Sequence, residues 1–127
     1  MIKVVLSVGE LIDKITILQL KMKFIKNKEQ LKNIRNELGT LKPLLKENNL
    51  ETPKINELFA ELYEINLELW KIEDKIREKE RQSDFSDEFI SLARSVYFTN
   101  DKRADIKKKI NLISGSELIE EKSYAKY

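Results

Sequence analysis

Apolar residues recur every three or four positions along most of this chain, which is the spacing of one face of an α-helix. Three such rows are present: one begins near Val8, one follows Pro53 and one follows Ser86. Glycine and proline, the residues that most readily interrupt helices, number only three and two among 127 residues. The pattern therefore predicts an all-α fold made of long amphipathic helices.

Capping signals and turn residues set the expected helix boundaries. Gly39 and Pro43 weaken the first helix, so we expect a kink or break at 39–43. Short turns favour antiparallel neighbours, and we predict one domain of three long antiparallel helices, packed as a bundle or coiled-coil-like. The predicted segments are an extended N-terminal arm (1–7), helix 1 (8–47), helix 2 (53–82), helix 3 (87–113) and a C-terminal tail (115–127).

The expected length of helix 1 bears on assembly. About 38 helical residues would span roughly 57 Å, which is longer than either partner helix. Part of helix 1 would overhang and leave an apolar row uncovered. A second copy of the chain is the usual cover for such a row, so we predict a homodimer.

Basic and acidic residues are mixed along the chain, 24 against 22, which gives a formal net charge of only +2. The one dense basic run, 107–109, is either a solvated helix face or a phosphate contact. No apolar stretch approaches the roughly 20 residues of a membrane span, and the first apolar run is too short for a signal peptide. We therefore expect a soluble cytoplasmic protein that binds neither nucleic acid nor a membrane.

Cysteine and histidine are both absent from the sequence. Disulfides, thiol nucleophiles, zinc sites built on thiolate or imidazole, and the usual general base near neutral pH are thereby excluded. A bound metal would have to be a hard, oxygen-ligated cation such as magnesium. We predict no cofactor and no metal site, and no motif identifies a reaction.

Polar side chains interrupt the sides of helices 2 and 3 that their apolar rows would bury. The turn between these helices should place Asn66 level with Arg103. It should also place Trp70 level with Tyr97. These groups would form one polar layer across the bundle. The candidate ligand-binding residues are Asn66, Trp70, Glu73, Asp74, Arg77, Arg94, Tyr97, Asn100, Arg103 and Lys14.

Arginine usage points to the same region, because the chain has nineteen lysines but only five arginines. Guanidinium groups suit planar, bidentate contacts with carboxylate or phosphate. Asn27 of helix 1 is expected at the height of Glu73 and would join the layer. Four of the five arginines fall within this part of the fold: Arg77, Arg81, Arg94 and Arg103.

Three interpretations of the polar layer remain open. Its members could satisfy one another as a closed structural network that fixes helix register. They could instead line a pocket in which Trp70 or Tyr97 stacks on a ligand and arginines hold its anionic group. The layer could also be a surface that binds a partner protein.

We expect, on this basis, a small helical binding or interaction protein, dimeric, whose polar layer receives an anionic small molecule or fixes the assembly. The alternative is an enzyme that acts on a phosphorylated or nucleotide substrate. Such an enzyme would use Glu73 and Asp74, together with magnesium.

Four blocks of the sequence resemble a family of short helical proteins of uncharacterised function. They are SVGELIDKITIL (7–18), LWKIEDKIR (69–77), LARSVYFTNDKRA (92–104) and the pair Gly115-Ser116. The resemblance implies a bacterial or bacteriophage protein and brings no activity or site residues. If helix 1 is antiparallel to helix 2, Asp13 and Lys14 of the first block lie near the turn between helices 2 and 3. They would then either line a pocket at that end of the bundle or be surface charges of the first helical turn.

Overall fold

The computed structural model describes residues 1–127, and it contains helices but no strand. This confirms the predicted all-α class. The second and third predicted helices are confirmed to within one residue at each end, as α4 and α5. The five helices are α1 (Val8–Phe24), α2 (Lys28–Leu41), α3 (Pro43–Glu47), α4 (Pro53–Arg81) and α5 (Asp87–Ser114).

The prediction of one long helix over 8–47 is wrong. Ile25 ends α1 in an extended conformation, and the Asn27 side chain accepts a hydrogen bond from the Gln30 amide at 2.9 Å to start α2. An asparagine N-cap is among the strongest helix starts, and here it lies within an otherwise helical apolar row. Asn27 is therefore a cap exposed to solvent, not a member of a buried layer.

The predicted break near Pro43 is confirmed. Leu41 ends α2 and Pro43 opens the short helix α3, because proline has no backbone N–H to continue the ladder. Helix 1 is thus three shorter helices. The overhang on which the homodimer prediction depended does not exist, because α2 folds back and packs on α1.

The direction of α1 also differs from the expected up-down-up order. Asp13 lies beside Asn66 and Phe24 lies beside Trp70, so α1 runs parallel to α4. Helix α1 is antiparallel to α5, as the contacts of Gly9 with Asn111 and of Asp13 with Arg103 show. The extra reversal at Asn27 accounts for this change, and the four longer helices alternate in direction.

The apolar core lies at one end of the bundle. It joins the first half of α1, the first half of α4 and the second half of α5, with the short α3 beneath them. Beyond Trp70, which marks the end of α1, α4 continues through residues 71–81. Those 11 residues extend the α4–α5 hairpin by roughly 16 Å beyond the end of α1. The fully packed members of the core include Ile12, Ile15, Leu62 and Ile110.

Both chain ends lie outside the helices, as predicted. Residues 1–6 are exposed and have no regular secondary structure, and Ser7 caps α1. The tail has no regular structure and contacts both α1 and α5: Ser116 accepts a hydrogen bond from the Val8 amide, and Glu120 pairs with Lys107. None of the five helices combines the length and the apolar composition needed to cross a membrane.

Gly9 is the point of closest approach between α1 and α5. Its amide donates to Asn111 Oδ1 at 2.6 Å, which satisfies a helix N-terminal donor from a neighbouring helix. A Cβ atom at this position would lie 2.6 Å from the Lys107 carbonyl oxygen. Only glycine allows the two backbones to pack this closely.

We predict that Gly9→Ala lowers the free energy of unfolding by about 1–3 kcal/mol, because the new methyl group forces α1 away from the α5 backbone. Gly39→Ala is the matched control: nothing lies within 4 Å of its Cβ position. That exposed helical change should raise stability by about 0.5–1 kcal/mol. Urea unfolding followed by circular dichroism measures both, and equal stabilisation by the two alanines would contradict the close approach.

Candidate functional site

The carboxylate of Asp13 is the centre of a buried polar network, and its side chain is only 1% exposed. Arg103 of α5 holds both carboxylate oxygens, with its Nε 3.0 Å from Oδ1 and its Nη2 in contact with Oδ2. Asn66 of α4 donates to the same Oδ1 at 2.9 Å. One side chain therefore connects α1 to α4 and α5.

Thr16, one turn further along α1, completes the coordination of Asn66. The Asn66 amide donates to Thr16 Oγ1 at 2.9 Å, and that hydroxyl donates to the Asp13 carbonyl oxygen at 2.8 Å. No buried side-chain nitrogen or oxygen in the protein lacks a hydrogen-bond partner. This part of the predicted polar layer closes on itself.

Lys107 extends the network along α5. Its ammonium donates to Glu10 at 2.7 Å and to Glu120 of the tail at 3.0 Å, and it lies 3.8 Å from Asp13. Burial on its own would lower the pKa of Lys107, but the hydrogen bonds to the two glutamates and the nearby charges of Asp13 and Glu10 together raise that pKa. The hydrogen bond to Asp13 likewise raises the pKa of Arg103. Both cations stay charged at neutral pH.

A groove opens between α1 and α4, beside the closed network. Its volume is about 380 Å³, and we call it the Trp70 groove. Six of the ten predicted site residues lie on its wall, together with three apolar residues of α1 and α4. The nine lining residues are Ile17, Leu20, Asn66, Leu69, Trp70, Glu73, Asp74, Arg77 and Arg103.

Trp70 and Arg77 give the groove its chemistry. The Trp70 ring stacks on Phe24, with ring centroids 5.3 Å apart and planes inclined by 23°. Arg77 is 80% exposed and lies 3.4 Å from Glu73, one turn earlier on α4. The expectation that Arg77 is part of a buried layer is wrong. Helix α1 ends at Phe24, so it does not cover α4 at the height of Arg77.

The remaining predicted residues lie elsewhere. Tyr97 and Asn100 line a different cavity of about 570 Å³ between α5 and the tail, which also contains Arg103. Arg94 is exposed and donates only to the Tyr97 hydroxyl, at 3.3 Å. Lys14 is an exposed residue on α1. The Trp70 groove therefore contains neither Arg94 nor Tyr97.

Sequence reasoning missed the residue at the centre of the network. Asp13 lies neither at the α4–α5 turn nor on the surface, because α1 runs in the opposite direction to that expected. Its sequence signal is its place between Ile12 and Ile15, two fully buried positions of α1. Lys107 and Asn111 were also missed as members of the network. Their sequence signal is likewise their position, because both share the buried face of α5 with Ile110. No three potential metal-ligating side chains come together anywhere in the chain.

Comparison with known protein families identifies a family for this chain. The family model described as "Family of unknown function (DUF6165)" matches residues 2–127. This confirms the resemblance to an uncharacterised family. No curated protein and no solved structure is significantly similar to the chain.

The Asp13–Arg103 pair should dominate the energetics of this region. We predict that Arg103→Met lowers the free energy of unfolding by about 3 kcal/mol, because it leaves the buried Asp13 carboxylate without its bidentate partner. Asp13→Asn should cost less, because the Arg103 side chain that it leaves without a partner is 29% exposed. The double variant should cost less than the sum, by about 1–3 kcal/mol. Arg77→Met, which breaks the exposed pair with Glu73, should cost at most about 0.5 kcal/mol in the same urea titrations. Additive effects at the buried pair would show that the two charges act independently.

Proposed function

The chain belongs to this family of unknown function, and we propose from its geometry that it is a non-catalytic binding protein. Its ligand is a small molecule with a planar or apolar part and an anionic group, held in the Trp70 groove. The observation that carries the proposal is the convergence of an aromatic ring, two arginines, two carboxylates and an amide on one open groove. Concave sites lined by apolar residues with a few polar groups are the usual form of small-molecule sites.

Trp70 supplies the apolar contact. Phe24 covers one side of its ring, and the indole also lines the groove, where a planar ligand can pack against it. Stacking on a tryptophan that is already fixed by a neighbour costs little side-chain entropy. Ile17, Leu20 and Leu69 complete an apolar wall for the same part of the ligand.

Arg77 is the anchor for the anionic group. The guanidinium of Arg103 is already held by both oxygens of Asp13, so its charge is neutralised within the wall. Arg77 has only one exposed partner, Glu73, at 3.4 Å. An incoming carboxylate or phosphate can take Arg77 from Glu73 at low cost, because exposed pairs contribute little. Glu73 and Asp74 then accept hydrogen bonds from hydroxyl or amino groups of the ligand.

Glu73 and Asp74 also support the second candidate, an enzyme acting on a phosphorylated or nucleotide substrate. Magnesium is commonly held by one or two carboxylates together with substrate phosphates. Two neighbouring carboxylates on the groove wall supply that number of ligands. The enzyme would bind such a substrate only with magnesium, whereas the binding protein needs none.

A homodimer remains part of the proposal, now through the α4–α5 hairpin instead of helix 1. The hairpin extends past the core, and Phe85 and Ile90 at its end are each more than 50% exposed. Apolar side chains on a protruding helical hairpin are suited to packing against a second copy. Sedimentation equilibrium of the wild-type chain and of Phe85→Ser tests this: the variant should be monomeric if the hairpin forms the interface.

Trp70 is the only tryptophan of the chain, so intrinsic fluorescence reports directly on the groove. We predict that nucleotides, sugar nucleotides or other anionic planar compounds change this fluorescence in a saturable way and raise the melting temperature. Titration without and with magnesium separates the two candidates. Binding that requires magnesium, followed by turnover, would favour the enzyme over the binding protein.

Arg77→Gln tests the assigned anchor. The variant should bind the same compound about tenfold more weakly with an unchanged melting temperature in its absence, because one charge-assisted contact is lost. Arg81→Gln is the matched control, since Arg81 is also an exposed arginine of α4 with a glutamate partner, Glu78, but does not line the groove. Equal losses from the two variants would show that binding follows overall charge instead of this site.

A further inference from the structure

The C-terminal tail lies along α5 and is attached through a series of polar contacts. Glu120 pairs with Lys107 and Glu121 pairs with Lys108, both at 3.0 Å. At the far end, the Tyr127 hydroxyl donates to Asp101, and its ring stacks on Tyr97 at 5.4 Å. The tail therefore runs antiparallel to α5.

Lysine side chains surround the two tail carboxylates. Lys107 and Lys122 both approach Glu120, at 3.0 and 3.6 Å, and Lys108 donates to both oxygens of Glu121, at 3.0 and 3.1 Å. A small crevice beside them is lined by these lysines and Asn111, and also by the carboxylates of Asp105, Glu120 and Glu121. Lysine ammonium groups around an oxyanion are typical of phosphate binding.

The tail is held by contacts that water can replace. The side chains of Glu120, Glu121 and Lys108 are 45%, 70% and 46% exposed, and exposed ion pairs contribute little to stability. Release of Glu120 does not leave Lys107 unpaired, because Glu10 remains at 2.7 Å. The buried lysine can thus exchange one anionic partner for another at low cost.

We propose that Lys107 and Lys108 of α5 form a binding site for a small oxyanion, a phosphate group, which Glu120 and Glu121 of the chain's own tail occupy in its absence. The tail is then a releasable strap on α5. The site is separate from the Trp70 groove and does not depend on the function proposed for that groove.

Residues 107–109 form the basic run seen in the sequence, and they divide by position: Lys107 and Lys108 line the crevice, whereas Lys109 is exposed and outside it. This division supplies a matched pair of lysines for the test.

The test measures binding of inorganic phosphate to the full chain by ¹H–¹⁵N correlation spectra, with the amides of residues 105–108 and 119–127 as reporters. Glu120→Gln together with Glu121→Gln should bind phosphate about threefold to tenfold more tightly than the wild type, because the competing strap is weakened. Lys108→Gln should weaken binding several-fold, and Lys109→Gln should leave it unchanged.

Two outcomes would overturn the proposal. One is equal phosphate affinity of the wild type and the double variant, which would show that the tail does not compete for the site. The other is an equal effect of Lys108→Gln and Lys109→Gln, which would show only nonspecific attraction to a basic helix. Titration with chloride at the same ionic strength provides the control for screening, and an identical response to chloride counts against the site.

Discussion

The structure depends on one buried charge, the carboxylate of Asp13. Removing a carboxylate from water costs several kcal/mol unless charged and polar partners replace the water. Arg103 and Asn66 supply those partners from α5 and α4, and Lys107 adds a second cation at 3.8 Å. The carboxylate of Asp13 therefore has its hydrogen-bond partners at only one axial register of α1 against α4 and α5. An apolar core tolerates small slips between helices, whereas this network does not.

The same network explains why α1 lies where it does. Below Asp13, Gly9 lets the α1 backbone approach α5 until its free amide reaches Asn111, at 2.6 Å. Above Asp13, Phe24 meets Trp70 at the end of α1. A helix of 17 residues is thus fixed at its start, middle and end by one backbone contact, one buried charge and one aromatic stack. The groove beside Trp70 exists because α1 stops there while α4 continues.

Sequence patterns predicted the helices that have both a clear start signal and an apolar row. They failed at Asn27, where a capping residue lies within a continuous apolar row. Helices α4 and α5 have clear starts and long apolar rows, and their short connection fixed the register that brings Asn66 near Arg103. The apolar row of helix 1 continued through Asn27, so the periodicity hid a cap. That one missed reversal inverted α1 and misplaced Asp13 and Lys14. It also explains why Arg77 is exposed: no third helix lies beside it.

Arg103 is the one predicted residue that lies in two cavities, the Trp70 groove and the space between α5 and the tail. Its guanidinium cannot move toward either side without leaving Asp13 partly unpaired in the core. A ligand in the groove and the tail on α5 would therefore contact opposite sides of the Arg103 side chain. That side chain is held in place by its pair with the buried Asp13 carboxylate. Coupling between the two faces would have to proceed through displacement of Arg103, and the cost of exposing Asp13 opposes it. The geometry thus favours ligand binding in the Trp70 groove that does not depend on the position of the tail.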